Sequence, residues 1–441
     1  MHNIQSLNSL RPYNQDSYSN KQGLLAEDPI DRSQGGHAFG AYYNIVCAVC
    51  GTGMLGLSQA IARGGWGAIA LLLLAWWMVS YGSVILIKCL YHPRKQTTRI
   101  NSFKDITEDA FGKLGGWLCF FFIAWVLLGS PILYLVLIGQ NMNQICRDSA
   151  GEIGSIPWTI IWSVIIAIPF VLMKTMKEVA WTSLIGTTAC FVSVIMLIVM
   201  VGIDSPTHAA NAVRSNIIWE GFPTSLATIG FSMGGNVIYP NVEASMRRPE
   251  SWSKTVVIAL TTCAMLYIVI AVPGYYVYGQ DVSNPLYNSI TEGPAQTVII
   301  VLVTINILVS VPIFLTSFAL DIESMANVTV ARYGKYCEFA LRAVIRVSTM
   351  VFCTVVACAV PYFDYLMSLF GAFGSCTSIF IIPVLCYWRL TGFRNKPIWE
   401  NAWCAFVLVF GFVGLIFGSW GAVTDLIQAF REDSAAATTA P

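Results

Sequence analysis

Two glycine clusters in this 441-residue chain could free backbone groups for chemistry: Gly51-Thr52-Gly53-Met54-Leu55-Gly56 and Gly230-Phe231-Ser232-Met233-Gly234-Gly235-Asn236. Each lies in the middle of an apolar run. Glycine is a poor helix former, and several close together favour unwinding. A helix interrupted there ends in bare carbonyls that suit an ammonium, and restarts with bare N–H groups that suit a carboxylate. A zwitterion such as an amino acid carries one of each. The expected substrate contacts are therefore the main-chain atoms of Gly51, Thr52, Gly53, Gly230, Phe231 and Ser232. Tyr134, Thr304, Asn306 and Ser310, polar residues near the middle of other apolar runs, are expected to face them.

Other readings of these motifs fail on their surroundings. Residues 51–56 match a dinucleotide fingerprint, which needs a preceding strand and an acidic residue further on, where the chain reads Leu74-Ala75-Trp76-Trp77-Met78. Residues 230–234 match a hydrolase elbow, yet His2, His37, His92 and His208 all lie outside the apolar runs, so Ser232 has no base. Cys47 and Cys50 form a C-x-x-C with no second pair, so no metal site is expected. No catalytic residue and no cofactor are expected. Ionisable groups inside a membrane are functional candidates. Glu243 and Asp364 are the candidates for proton coupling, whereas Asp321 and Glu323 are expected to be solvated at a span end.

The elements that must position these residues are membrane spans. Charged residues make up only 11% of the chain and apolar ones 56%, too few charges for a water-facing surface. The apolar runs are long enough to cross a bilayer as helices. Eleven spans are predicted: 38–61, 66–90, 116–145, 156–173, 179–203, 222–241, 254–279, 295–320, 343–360, 363–388 and 401–426. Residues 102–112 carry the pattern of a short amphipathic helix on the membrane surface. Of the 25 lysines and arginines, all but Arg63, Arg147, Arg214 and Arg431 fall in the N-terminal tail, in loops following even-numbered spans or at the span ends that border those loops. That bias predicts a cytosolic N-terminus and a lumenal or external C-terminus. Residues 1–37 read as a disordered cytoplasmic tail and 431–441 as a short lumenal or external one. The breaks lie in spans 1 and 6, which cross in opposite directions. This is the pattern of an inverted five-plus-five repeat with its substrate site where the broken helices meet. Repeat one is 38–203, repeat two 222–388, and 401–426 is an extra helix in a transporter domain of 38–430. Gly414 and Gly418 suit close helix packing.

The run from Ala41 through Leu57 followed by Gly64-Gly65-Trp66 resembles the opening span of the amino acid/auxin permease family. So do Phe103, Asp105, Ile106, Ala110, Phe111 and Gly112, then Phe222-Pro223-Thr224-Ser225, then Tyr239-Pro240 with Val242 to Met246. The match ends with Val360 to Asp364 and Leu369 to Ala372. The order and spacing are most similar to the branch holding the vesicular inhibitory amino-acid transporter and the fungal vacuolar amino-acid transporters. The resemblance implies an all-α integral membrane protein with a LeuT-type 5+5 inverted repeat. It also implies secondary transport of a small-molecule amino acid, neutral or a related metabolite, by proton-coupled exchange into the vacuole or another endomembrane compartment. A plasma-membrane symporter and an amino-acid sensor are the alternatives. A proton gradient is the expected drive, with sodium left open, and the lipid bilayer is the surrounding partner. No nucleic acid and no protein partner are expected. Where the family usually has proline after Gly-Leu, this chain has Ser58 and Gln59.

Overall fold

Runs rich in Leu, Ile, Val and Phe hide their backbone polar groups most economically as helices, and in hydrocarbon that is nearly the sole option. The computed structural model describes residues 35–91, 99–173, 176–360, 362–394 and 396–439. In chain order its helices are α1 (Ala38–Val49), α2 (Leu57–Gly64), α3 (Gly67–Leu90), α4 (Phe103–Phe111), α5 (Lys113–Ile145), α6 (Ser155–Leu172), α7 (Met176–His208) and α8 (Phe222–Ser232). They continue with α9 (Tyr239–Ala244), α10 (Trp252–Tyr278), α11 (Pro294–Met325), α12 (Val330–Ala359), α13 (Phe363–Leu369), α14 (Ile382–Thr391), α15 (Ile398–Val413) and α16 (Ser419–Thr439).

Among the described residues, nine spans are long and apolar enough to cross a bilayer, and ten if α1 and α2 count as one span bent by 41°. The sixth expected span, 222–241, consists of α8 and α9, each too short to cross alone because the glycine cluster divides them. The count of eleven therefore rests on reading α8 and α9 as one broken crossing.

Local chemistry marks the ends of these elements. Gly65 turns the chain between α2 and α3 at φ 72°, and a Cβ there would stand 2.7 Å from the Ser215 carbonyl. Ser102 caps α4 by accepting the Asp105 N–H at 3.2 Å. The amphipathic helix is present as α4, and it buries Phe103, Ile106 and Ala110 against α5 and α14. The last helix overruns expectation: α16 continues to Thr439 where residues 431–441 read as a tail. Its closing Ala435–Ala437 run explains this, since alanine is the strongest helix former. The N-terminal tail reading falls on residues outside the described ones, except at its last three. There Gly36 donates its N–H to Ser245 O at 2.8 Å and accepts from Arg247 N at 2.8 Å.

At the centre of the bundle, α1 packs against α7 and α10, and α8 against α2 and α3. Residues Phe370–Ser375, Thr377–Ile381 and Gly414–Gly418 widen into π-helical turns. Gly414 and Gly418 pack as expected: a Cβ would stand 2.7 Å from Cys376 Sγ and 3.1 Å from Ala372 Cβ, respectively.

Candidate substrate site at the two helix breaks

In the first break, Gly51 leaves the helical region at φ −67° and ψ −130°, and the chain winds through a 3-10 turn, Thr52–Gly56, into α2. In the second, Gly234 N–H bonds Phe231 O at 2.9 Å. The 3-10 turn Asn236–Ile238 then leads into α9. Each interruption deprives the last carbonyls of the preceding helix of their usual donors.

The two breaks touch. Ser232 Oγ donates to Gly53 O at 2.8 Å and also lies 2.9 Å from Thr228 O. A Cβ on Gly53 would stand 2.6 Å from Ser232 Cα, so this approach requires glycine. A Cβ on Gly51 would stand 2.7 Å from the Tyr134 hydroxyl oxygen, and that hydroxyl reaches Ala48 O at 3.5 Å. Gly51, Gly53, Ser232 and Tyr134 are thus brought together. On the opposite side, Gly230 and Phe231 face the wide turns after α13. Cys376 Sγ would stand 3.3 Å from a Cβ on Gly230, and a Cβ on Gly371 would meet Phe231 Cβ at 2.9 Å.

From α11, Ser310 Oγ donates to Cys47 O at 3.1 Å and Asn306 Nδ2 to Gly186 O at 2.9 Å. These two residues tie α1, α7 and α11 together just before the first break. Thr304 is bonded elsewhere: its hydroxyl donates to Ile300 O at 2.7 Å and accepts from Asn141 Nδ2 at 2.9 Å. Asn141 in turn accepts from the Tyr287 hydroxyl.

Of the two coupling candidates, Glu243 is fully buried and closely held. Arg99 donates to its Oε2 from Nη2 at 2.5 Å and from Nε at 3.0 Å, and Tyr91 donates to its Oε1 at 2.5 Å. The Gly36 bridge lies beside it on Ser245 and Arg247. Asp364, on α13, faces Arg63 and Gln59. Its Oδ1 is buried with no hydrogen-bond partner among the described residues. Arg63 donates to Ser368 Oγ at 3.1 Å, and that hydroxyl lies 3.4 Å from Thr228 Oγ1.

The expectation of solvated Asp321 and Glu323 is corrected. Glu323 is buried, accepts Arg346 Nε at 2.9 Å and pairs with Arg342 Nε at 3.5 Å. Asp321 accepts from Asn241 Nδ2 at 3.4 Å. Arg342 and Arg346 of α12 cover Glu323, whereas Asp321 is half-buried beside α9, so the position of Glu323 near a span end does not mean contact with water.

Sequence reasoning missed Tyr267 on α10. Its hydroxyl stands 2.6 Å from Val49 O and 2.6 Å from Ser232 O, one carbonyl from each break. It also missed Asn236, which donates to Ser378 O and keeps a buried Oδ1 with no partner among the described residues. Among the described residues no three or more His, Cys, Asp or Glu side chains gather as a metal ion would need.

An all-helical bundle of membrane-length spans with two of its helices broken mid-course defines a LeuT-like fold. The likeness extends to a solved Na+-coupled sialic acid symporter in a substrate-bound outward-open state. The two share a TM-score of 0.58 at 13% identity, over 90% of this chain and 92% of that one. Residues 34–424 match the profile described as transmembrane amino acid transporter protein, and the chain belongs to that family. Amino acid transporter AVT1I of Arabidopsis thaliana is 26% identical over 404 residues, covering 88% of this chain and 95% of the relative. Amino acid transporter AVT1J of the same plant is 25% identical, covering 87% and 90%. The vesicular inhibitory amino acid transporter of Xenopus tropicalis is 25% identical over 430 residues, covering 94% and 82%. These relatives are transporters rather than enzymes, and so is this chain.

Proposed function

We propose that this protein is a secondary active transporter that binds one neutral amino acid, or a related metabolite, between its two helix breaks. It exchanges that molecule for protons into the vacuole or another acidic endomembrane compartment. The observation that carries this reading is the direct Ser232–Gly53 contact, which brings together two helix interruptions with their freed carbonyls and N–H groups. An α-amino acid presents an ammonium and a carboxylate about one residue apart, matching donors and acceptors of that kind. Asp364 is the better of the two coupling candidates, because Arg63, Gln59 and Tyr287 are the groups around it and one carboxylate oxygen has no described partner. Glu243 is committed to Arg99 and Tyr91. The lysine- and arginine-rich loops support a cytosolic N-terminus, and the vesicular relative supports an endomembrane location. Uptake of labelled amino acids by proteoliposomes under imposed proton and sodium gradients tests the reading. Folded protein that carries no amino acid under any gradient would refute it.

A further inference from the structure

The hydroxyl of Tyr267 stands at equal distance, 2.6 Å, from Val49 O and Ser232 O. A phenol carries one proton, so it satisfies one of these carbonyls at a time. Both carbonyls belong to helix ends whose continuing N–H donors the breaks remove. An ammonium carries three donors and can satisfy both at once, but it needs the position the phenol oxygen occupies. The breaks themselves leave no room between them, since a Cβ on Gly53 would stand 2.6 Å from Ser232 Cα. The ring of Tyr267 is fully buried, so its hydroxyl is fixed from a third element, α10, that belongs to neither broken span.

We infer that Tyr267 is a positioning residue that stands in for the substrate ammonium. By bridging the two breaks it stabilises the closed arrangement through which the carrier crosses without an amino acid. The inference rests on the transport reading above and deepens it. Net movement, whether by symport or antiport, needs one crossing of the carrier free of amino acid in every cycle. Exchange of one amino acid for another does not. Removing the phenol oxygen therefore slows net movement and spares exchange. It also frees the ammonium from displacing the hydroxyl, so the apparent KM in exchange falls.

The test uses the full-length protein in proteoliposomes, wild type and Y267F, with a labelled mixture of the protein amino acids. Net uptake is measured in vesicles holding buffer, and exchange in vesicles preloaded with the unlabelled mixture. The expected result is a loss of about tenfold in net uptake with exchange changed by less than about threefold, the scale of one lost bond to a buried carbonyl. Equal losses in both modes would overturn the inference and assign Tyr267 a merely structural part, while leaving the transport reading intact. Wild type that carries nothing would remove the transport reading itself. If Y267F does not yield monodisperse protein, Y267M, which fills much of the ring's space and carries no donor, is the second variant. A raised exchange-to-net ratio in Y267M supports the inference and an unchanged ratio overturns it.

Discussion

Arg99 grips the carboxylate of Glu243 through two guanidinium nitrogens, at 2.5 and 3.0 Å, and so ties the segment after α3 to the far half of the second broken helix. Glu243 is fully buried and Arg99 nearly so. The pair, with Tyr91 and the Gly36 bridge, fastens α9 where the break would otherwise leave it loosely held.

Removing one partner of a buried pair strands the other charge and typically costs about 3–5 kcal/mol. Glu243→Ala is therefore expected to lower thermal stability strongly, and Arg99→Ala to act similarly. Making both changes should recover part of the loss, because no charge is then stranded. Unfolding in detergent, arranged as a double-mutant cycle, measures the coupling. Strict additivity of the two single changes would contradict the pairing.

The contact between the breaks makes a sharp demand at Gly53. Gly53→Ala forces the two backbones apart and is expected to abolish uptake and to cost about 1–3 kcal/mol by overpacking. Gly202→Ala is the control, since a Cβ there meets nothing within 4 Å. It should gain about 0.5–1 kcal/mol of helix stability and leave uptake unchanged. Uptake and thermal unfolding of both variants check this.

Glu323 pairs with both Arg346 and Arg342, Arg342 also pairs with Glu338, and Arg346 Nη1 also donates to Phe170 O at 2.8 Å near the end of α6. Glu323→Ala is expected to destabilise by about 3–5 kcal/mol, leaving guanidinium charge buried. Arg147 and Glu292 also pair, at 3.2 Å, but are 60% and 78% exposed. Arg147→Ala should shift stability by less than about 0.5 kcal/mol. Thermal unfolding of the two variants compares the sites directly.

If Asp364 carries the coupling proton, Asp364→Asn removes the group that exchanges it. Uptake driven by a pH gradient should fall at least about tenfold and lose its pH dependence, as removal of an essential acid–base group does. Amino-acid exchange at symmetric pH should persist. A variant retaining pH-driven accumulation would exclude Asp364. The same assay on Glu243→Gln should retain coupling in whatever protein folds.

Much of this arrangement was legible because its signals are local. Glycine clusters announce the breaks, apolar run length announces the spans, and the amphipathic spacing of residues 102–112 announces α4. The missed residues owe their roles to partners distant in sequence. Tyr267 in an apolar run reads as packing, and its meaning comes from carbonyls on α1 and α8. Arg99 in a basic loop reads as an orientation signal until Glu243 is seen against it. Helix geometry separates Thr304 from Asn306 and Ser310. On a helix of 3.6 residues per turn, Asn306 and Ser310 share a face while Thr304 points about 160° away from Asn306. The structure bears this out, with Asn306 and Ser310 directed at α7 and α1 and Thr304 bonded to α5.

The most direct measurement of the central claim is accumulation of labelled amino acids in proteoliposomes with an acidic interior. The expected result is concentrative uptake that a protonophore abolishes and that sodium leaves unchanged. Uptake driven only by inward proton or sodium flow would contradict vacuolar exchange, and no flux from folded protein would contradict amino-acid transport altogether.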